Sequence, residues 1–165
     1  MKKVYLDMTQ SNMCVGIFIK DTKVIPAGTT IASMSVKHKN AEYERFADEN
    51  DIHFIFDDEL PMIDFYTIPM VDVFAVDSAG GYIGSLGQAT DLQVDIPICY
   101  IDKDKKCYLI AESGTEFLQN VENWKQYLRP YIEIEVFASL EVAKEKYEFL
   151  DRAAIERELS DVKLT

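Results

Sequence analysis

Histidine is scarce in this sequence of 165 residues, which contains two copies of it. A nucleophilic triad needs a base within reach of its nucleophile. His38 lies in a lysine-rich segment and His53 beside an acidic one, so neither has a recognisable catalytic context. We interpret His53, with Asp51 or Asp57 nearby, as a histidine at a strand edge, in preference to half of a catalytic dyad. Enzymatic activity is the least favoured function class.

Cysteine is also rare, and the three copies are odd in number and form no Cys-x-x-Cys pair. Together with the two histidines they match no zinc-ligand spacing. The pattern favours reduced cysteines in the core over a disulfide. Cys99 and Cys107 flank one turn, so they are expected to be neighbours in a hairpin without being bonded. No metal and no cofactor is predicted.

Long apolar stretches are missing, because charged residues interrupt each run before it reaches the length that crosses a bilayer. The first apolar segment, residues 4–6, meets Asp7 too early for the core of a signal peptide. We therefore expect a cytoplasmic protein with no membrane association. A length of 165 residues with 48% hydrophobic content fits a single domain, residues 1–165.

Basic residues are depleted in the middle of the chain. Residues 40–104 contain fifteen acidic and two basic residues, a net charge of -13, whereas residues 1–39 carry +4 and residues 105–165 carry -3. Nucleic-acid binders need Lys and Arg to displace phosphate counterions, so nucleic acid is not an expected partner. A basic protein fits this charge better. The same charge would also serve solubility alone, and composition does not separate the two interpretations.

The rest of the chain is organised around residues 68–85, where an apolar β-branched run meets a glycine-rich turn and resumes as a second strand. This order predicts a β-hairpin. Asp77 and Ser78 are typical turn residues, and Gly80 and Gly81 are both expected to allow positive φ. The turn lacks the Lys-Ser or Lys-Thr pair and the helix that follow a phosphate-binding loop, so nucleotide binding is not predicted.

The same residues carry a resemblance to a known family. The sequence Phe-Ala, Asp-Ser and Gly-Gly-Tyr between two strands resembles the core of the SUKH superfamily, which includes fungal regulators of glucan synthesis and bacterial immunity proteins. The likeness covers about residues 54–128 and continues through three more segments, residues 96–102, 107–113 and 116–118. There the family has a strand pair and a helix that ends in a Phe-Leu pair. The resemblance implies a protein-binding function.

Residue patterns predict further elements outside the hairpin. β-branched and aromatic residues predict strands at residues 4–6, 14–19, 29–36, 53–56, 96–101, 107–111 and 131–137. In the last of these, Glu133 and Glu135 are expected to point outward. Helical periodicity predicts helices at residues 41–49, 114–128 and 139–159. The second begins with a capping box of Ser113 and Glu116 and continues as a short separate helical piece that contains Trp124 and is stopped by Pro130.

These elements predict an α+β fold with a mainly antiparallel or mixed sheet of six or more strands and helices packed on one side, like the SUKH fold. The N-terminal third, residues 1–39, is expected to be a strand-rich addition to the family-like core, and residues 139–159 to be an amphipathic helix at the C-terminus. Core positions are expected at Val73, Phe74, Ile98, Tyr100, Leu109, Phe117 and Leu118.

Three functions remain open at this point: an immunity protein that neutralises a basic toxin, with a nuclease domain as the leading candidate, a regulatory scaffold, or an enzyme. The acidic triplet Asp57, Asp58 and Glu59 is the expected partner-binding site, and a solvated turn is its ordinary alternative. Phe65 and Tyr82 are the candidate aromatic anchors beside it, if they are exposed and not part of the core. The sequence predicts no oligomeric state.

Overall fold

The computed structural model of the chain describes residues 2–9, 21–86 and 96–151. The strands in these ranges are β1 Lys2–Asp7, β2 Thr22–Ala27, β3 Thr29–Ile31, β4 His53–Phe54, β5 Tyr66–Ile68, β6 Val71–Val76, β7 Tyr82–Leu86, β8 Ile98–Ile101, β9 Cys107–Ala111, β10 Arg129–Pro130 and β11 Glu135–Phe137. The helices there are α1 Ala41–Asn50, α2 Gly114–Gln119 and α3 Leu140–Lys146, with 3-10 helices at Val36–His38 and Val121–Tyr127.

Seven strands form the main sheet, in the order β10, β9, β8, β7, β6, β3, with β4 pairing with the same edge of β6 as β3. Strand β3 runs parallel to β6 and the other pairings are antiparallel, so the sheet is mixed. The predicted α+β class is confirmed, as are the hairpins β6–β7 and β8–β9. No helix in the described ranges is long and apolar enough to cross a membrane.

The turn between β6 and β7 differs in one detail from its prediction. Gly80 has a φ of +87°, but Gly81 does not have a positive φ. A Cβ on Gly81 would overlap the side chain of Tyr100, so glycine is required there by close packing. The turn therefore uses its two glycines for different reasons.

Helix α1, helix α2 and the 3-10 helix at Val121–Tyr127 cover one face of the main sheet, as predicted. They enclose a cluster of buried residues that includes Ile52, Phe74, Ile83, Ile98, Tyr100, Ile110, Phe117 and Trp124. The helical region expected at residues 114–128 consists of two pieces, as predicted: α2 ends at Gln119, and a 3-10 helix follows at Val121–Tyr127. Leu118, expected in the core, is 43% exposed, because it points away from the cluster that buries Phe117.

The capping box at the start of α2 is confirmed in part. The Ser113 Oγ accepts a hydrogen bond from the Glu116 backbone N–H at 3.1 Å, as the pattern predicts. The Glu116 carboxylate accepts from the N–H of Glu112 at 2.9 Å. A regular capping box would instead use the N–H of the capping residue itself.

A second, smaller cluster is built by the N- and C-terminal parts of the described chain together with β5. Strands β1 and β2 pair in parallel, and β11 pairs antiparallel with β5. Helix α3 packs here, with Ala143 buried against Tyr5, Tyr66 and Ile68. The prediction that all helices cover one side of a single sheet is therefore wrong for α3.

The predicted C-terminal helix is also shorter than expected. It ends at Lys146, and Tyr147 has extended backbone with φ -126° and ψ 153°. The reason is tertiary: Tyr5 donates its N–H to the Glu148 carbonyl at 3.0 Å, and Leu150 donates to the Tyr5 carbonyl at 2.8 Å. Backbone pairing with β1 thus outweighs the helical period after residue 146. The rest of the expected helix, from residue 152, lies outside the described residues.

Several predicted strands are shorter in the structure, one strand was not predicted, and one prediction lies outside the described ranges. The strand expected at residues 29–36 ends at Ile31, and Thr22–Ala27 is a strand that was not predicted. The strand expected at residues 131–137 covers only Glu135–Phe137, after a turn. Glu133 is exposed as predicted, but Glu135 is half-buried because it binds Lys146 and Tyr147. The strand expected at residues 14–19 lies outside the described ranges.

Candidate protein-binding surface

The predicted acidic triplet opens the segment of residues 57–64, here called the acidic loop, which leads from the region of β4 toward β5. A tight turn begins it, because the Glu59 N–H donates to the Phe56 carbonyl at 3.1 Å. The Asp57 N–H donates to the Met34 carbonyl at 2.9 Å and fastens the turn to the preceding chain. Asp57, Asp58 and Glu59 are all exposed.

The three acids have different surroundings. The Asp57 carboxylate accepts a hydrogen bond from Ser33 Oγ. Asp58 pairs with Lys39 Nζ at 2.8 Å, and this hydrogen bond lowers the pKa of Asp58. The Glu59 carboxylate has no hydrogen-bond or ion-pair partner among the described residues. The triplet therefore leaves Glu59 as the carboxylate with the greatest freedom to bind another molecule.

Two large apolar side chains follow the acids and are strongly exposed. Leu60 is 55% exposed and Met62 is 83% exposed, while Pro61 between them is half-buried. Single exposed apolar side chains are ordinary on protein surfaces. Here two of them stand beside unneutralised carboxylates on one short loop, which combines an apolar contact with a charged rim.

The two candidate aromatic anchors do not lie open on this surface. Phe65 is 6% exposed and Tyr82 is half-buried, with their ring centroids 5.0 Å apart at 60°. The Tyr82 hydroxyl donates to the Met62 carbonyl at 3.2 Å. The anchor role is thus not available to Phe65, and the alternative of core burial holds for it. The Phe65–Tyr82 pair therefore packs against the acidic loop and supports its conformation.

Lys105, in the turn between β8 and β9, joins that turn to the end of the acidic loop. Its Nζ lies 5.0 Å from the centroid of the Phe65 ring and 5.6 Å from that of Tyr82. The same nitrogen is 3.5 Å from the Asp64 carboxylate. A cation over aromatic faces and beside a carboxylate is attracted to both. Lys105 therefore helps to hold the loop in place.

A depression of about 430 Å³ lies between the acidic loop and the turn of the β6–β7 hairpin. Its lining comes from β4 and the residue after it, from the loop, and from the end of β6: His53, Phe54, Ile55, Glu59, Leu60, Pro61, Val76, Asp77 and Ser78. The lining is mainly apolar, with Glu59, His53 and Ser78 as its exposed polar members.

Beside the depression lies a second group of charged and polar residues, here called the turn network: Asp51, His53, Asp77, Ser78, Tyr100 and Lys125. The Asp77 side chain has no solvent exposure. It accepts hydrogen bonds from the Gly81 N–H at 2.7 Å, the Ala79 N–H at 3.1 Å and the Tyr100 hydroxyl at 2.5 Å. Lys125 Nζ is 3.3 Å away. Burial and the Asp77 contact raise the pKa of Tyr100.

Asp51 connects this turn with the end of α1, where it is the C-cap with φ 56° and ψ 40°. Its carboxylate accepts from the Ser78 N–H at 3.0 Å, Ser78 Oγ at 2.8 Å and Lys125 Nζ at 2.9 Å, and it lies 3.0 Å from His53 Nε2. Burial opposes the charge, but hydrogen bonds from Lys125, Ser78 and His53 outweigh it and hold the pKa of Asp51 well below its usual range.

The order of contacts decides what this network can do chemically. A nucleophilic serine needs a base that accepts its proton, with the acid on the far side of that base. Here Asp51 lies between Ser78 and His53 and accepts from Ser78 Oγ. The hydroxyl is thus bound by an ionised carboxylate, and the arrangement fits the fixing of a turn. No group of three or more potential metal ligands occurs among the described residues.

Sequence reasoning missed most of the turn network. The sequence places His53 near Asp51, and the two side chains are in contact. Asp77 is predicted as a turn residue, but the turn pattern does not predict its buried partners. Lys125 and Asp51 are 74 positions apart, so no local pattern connects them. A single Asp directly after a helix was the one available signal, since αL caps favour Gly, Asn and Asp.

Comparison with known proteins adds no relative: no protein-family model matches the chain, and neither a curated protein nor a solved structure resembles it significantly. The functional argument therefore depends on the chain's own surface.

Proposed function

We propose that this protein is a protein-binding module that uses its acidic loop to bind a basic protein, in the manner of an immunity protein that neutralises a toxin. The observation that carries the proposal is the exposure of Leu60 and Met62 directly beside Asp57 and Glu59. Interfaces are commonly built from apolar contacts surrounded by polar residues. The loop has both parts within eight residues.

The charge distribution supports a basic partner. Residues 40–104, which contain the acidic loop, carry a net charge of -13 within a chain of net charge -12. A field of this kind speeds association with a positive surface by about 10- to 1,000-fold at low salt. A nuclease is a suitable target, because an enzyme that holds phosphate groups has a positive active site that an acidic protein could cover.

The order of elements supports the SUKH-like part of the proposal. The hairpin β6–β7 is followed along the chain by the hairpin β8–β9 and the capped helix α2, which carries the Phe117-Leu118 pair. This is the order that the resemblance implies. A regulatory scaffold with the same fold remains the alternative; both functions rest on protein binding and differ in the identity of the partner.

The experiment is co-expression of the full chain with a candidate toxin domain from a neighbouring gene, with survival of the host and co-purification as the two measurements. The decisive variant is Asp57→Lys with Glu59→Lys. Asp58 is left unchanged because it pairs with Lys39. The matched control is Glu133→Lys with Glu145→Lys, which makes the same charge change at exposed positions elsewhere.

We expect protection by the unmodified protein and by the control, and loss of protection by the loop variant. Absence of binding by the unmodified protein would refute the toxin-neutralising role. Equal protection by the loop variant and the control would exclude the acidic loop as the binding surface.

A further inference from the structure

We infer that the depression beside the acidic loop binds one arginine side chain of the partner. This inference deepens the proposed function and rests on it, because the arginine belongs to the basic protein that the loop attracts. Three properties of the depression carry the argument. Its walls are apolar, its rim carries a negative charge, and the carboxylates behind it already have hydrogen-bond and ion-pair partners.

The walls suit the stem of a long side chain. Phe54, Ile55, Leu60, Pro61 and Val76 supply apolar surface on several sides of a space of about 430 Å³. A volume of this order lies within the range of about 300–1,000 Å³ typical of small-ligand sites, so one long side chain fits. Lysine and arginine bury their methylene stems along such surface while the charged group stays near water.

The rim of the depression carries a negative charge that can pair with the guanidinium group of an arginine. Glu59 lines the depression, is exposed, and has no ion-pair partner among the described residues. A free carboxylate can accept two parallel hydrogen bonds from a guanidinium group, which an ammonium group cannot donate in the same geometry. Arginine is accordingly the occupant that uses both the apolar walls and the carboxylate at the rim.

The carboxylates behind the depression do not compete for this cation. Asp77 also lines the space, but its carboxylate is buried and already accepts from Gly81, Ala79 and Tyr100, with Lys125 at 3.3 Å. Asp51 is likewise occupied by Ser78, Lys125 and His53. Glu59 is therefore the group that should determine binding of the guanidinium.

The test uses the full chain labelled with 15N and a five-residue probe, acetyl-Gly-Ser-Arg-Ser-Gly-amide, followed by amide chemical shifts in NMR. The same peptide with citrulline in place of arginine keeps the shape and removes the charge. We expect the arginine peptide to shift the amides of Phe54, Leu60 and Ser78, and the citrulline peptide to leave them nearly unchanged.

Glu59→Gln should weaken arginine-peptide binding about two- to five-fold, the range of an exposed ion pair. The control is Glu133→Gln, which makes the same change at an exposed position that does not line the depression. It should leave peptide binding unchanged. An otherwise unaltered spectrum of each variant establishes that it is folded.

Equal shifts with citrulline, shifts located elsewhere, no shifts, or an undiminished affinity in Glu59→Gln would each overturn the inference. These results are separable from the co-expression test. Loss of toxin binding in Asp57→Lys with Glu59→Lys, combined with no arginine-peptide binding, would leave the proposed function standing and remove the arginine site. Specific peptide binding without toxin binding would support the arginine site and refute the toxin-neutralising role.

Discussion

The acidic loop and the turn network are two groups of carboxylates on either side of one depression, and they differ in how their charges are satisfied. In the turn network, Asp77 and Asp51 accept hydrogen bonds from backbone and side chains and share Lys125. In the acidic loop, Glu59 has no such partner among the described residues. Carboxylates of the first kind are positioned to stabilise the fold, and those of the second kind remain available to another molecule.

This difference follows from burial. A buried charge is costly unless it is paired and hydrogen-bonded, so Asp77 is tolerated because four groups surround it. An exposed carboxylate has water as its partner and can exchange that water for a cation at little cost. Mutations in the two regions should therefore affect different properties, namely stability in the turn network and binding in the acidic loop.

The largest expected effect is that of Asp77→Ala. Removal of the buried carboxylate leaves the Tyr100 hydroxyl and the N–H groups of Ala79 and Gly81 without their acceptor. We expect the free energy of unfolding to fall by roughly 3–5 kcal/mol. Urea denaturation followed by the fluorescence of Trp124, the single tryptophan, measures this.

The matched control is Asp57→Ala, which removes a carboxylate of the acidic loop that is exposed and bound to Ser33. A surface change of this kind should alter stability by no more than about 0.5 kcal/mol. If the two variants lost the same stability, the distinction between the two groups of carboxylates would be wrong.

The next effect in size is that of Tyr100→Phe, which removes only the hydroxyl that donates to Asp77. Loss of a hydrogen bond to a charged group should cost about 1.5–3 kcal/mol. Stability at alkaline pH offers a second measurement. The folded protein raises the pKa of Tyr100 above its ordinary 10.0, first through burial and then through Asp77. Its contribution is therefore complete below pH 10 and is lost as the pH rises toward the folded pKa.

Tyr100→Phe should accordingly make the decline of stability above pH 10 less steep than in the unmodified protein. Tyr127→Phe, the same change at a tyrosine that is 47% exposed, is the control. An identical pH profile in Tyr100→Phe would contradict the assigned role of the Tyr100 hydroxyl.

A smaller effect is expected for Asp51→Asn, whose carboxylate is more accessible than that of Asp77. The change should cost less than Tyr100→Phe at neutral pH, because the Asp51–Lys125 pair is partly exposed and is screened by water. Its sharper signature is at acid pH. Hydrogen bonds from Lys125, Ser78 and His53 overcome the effect of burial and lower the pKa of Asp51 from 3.8. The unfolded chain therefore takes up this proton at a higher pH than the folded protein does.

It follows that the contribution of Asp51 is present above pH 3.8 and is lost as the pH falls through the folded pKa. Asp51→Asn should flatten the acid side of the stability profile. Asp104→Asn, an exposed change in the turn between β8 and β9, is the reference, and a profile indistinguishable from it would argue against Asp51 as the centre of the network.

The elements that sequence reasoning predicted well are those whose contacts are local. The hairpins β6–β7 and β8–β9 each join neighbours along the chain, and α1 carries its own cap at Asn40. The C-terminal helix was overestimated because its last residues pair with β1, more than 140 positions away. The helical periodicity of the sequence gives no indication of this competing strand pairing.

The same distinction between local and long-range contacts applies to the candidate surface. Exposure of the acidic triplet could be expected from three consecutive acids before a proline. Burial of Phe65 under Lys105 and the pairing of Lys39 with Asp58 could not, because each contact joins segments that meet only in the folded protein. For the same reason, the sequence does not predict that the Glu59 carboxylate lacks an ion-pair partner among the described residues. This lack is the feature that most distinguishes the acidic loop from the turn network.

The smallest effect on stability is expected for Leu60→Ser combined with Met62→Ser. Both side chains are largely exposed, so the free energy of unfolding should change by no more than about 0.5 kcal/mol. Binding to the proposed basic partner should nevertheless weaken, chiefly through faster dissociation, because close apolar contacts act after the encounter. Asp57→Lys with Glu59→Lys should instead slow association and reduce its dependence on salt, since exposed charges act during the encounter. Surface plasmon resonance at two salt concentrations separates the rates. Unchanged dissociation in the Leu60 and Met62 variant would show that the loop contributes charge alone, and the apolar half of the proposed interface would have to be abandoned.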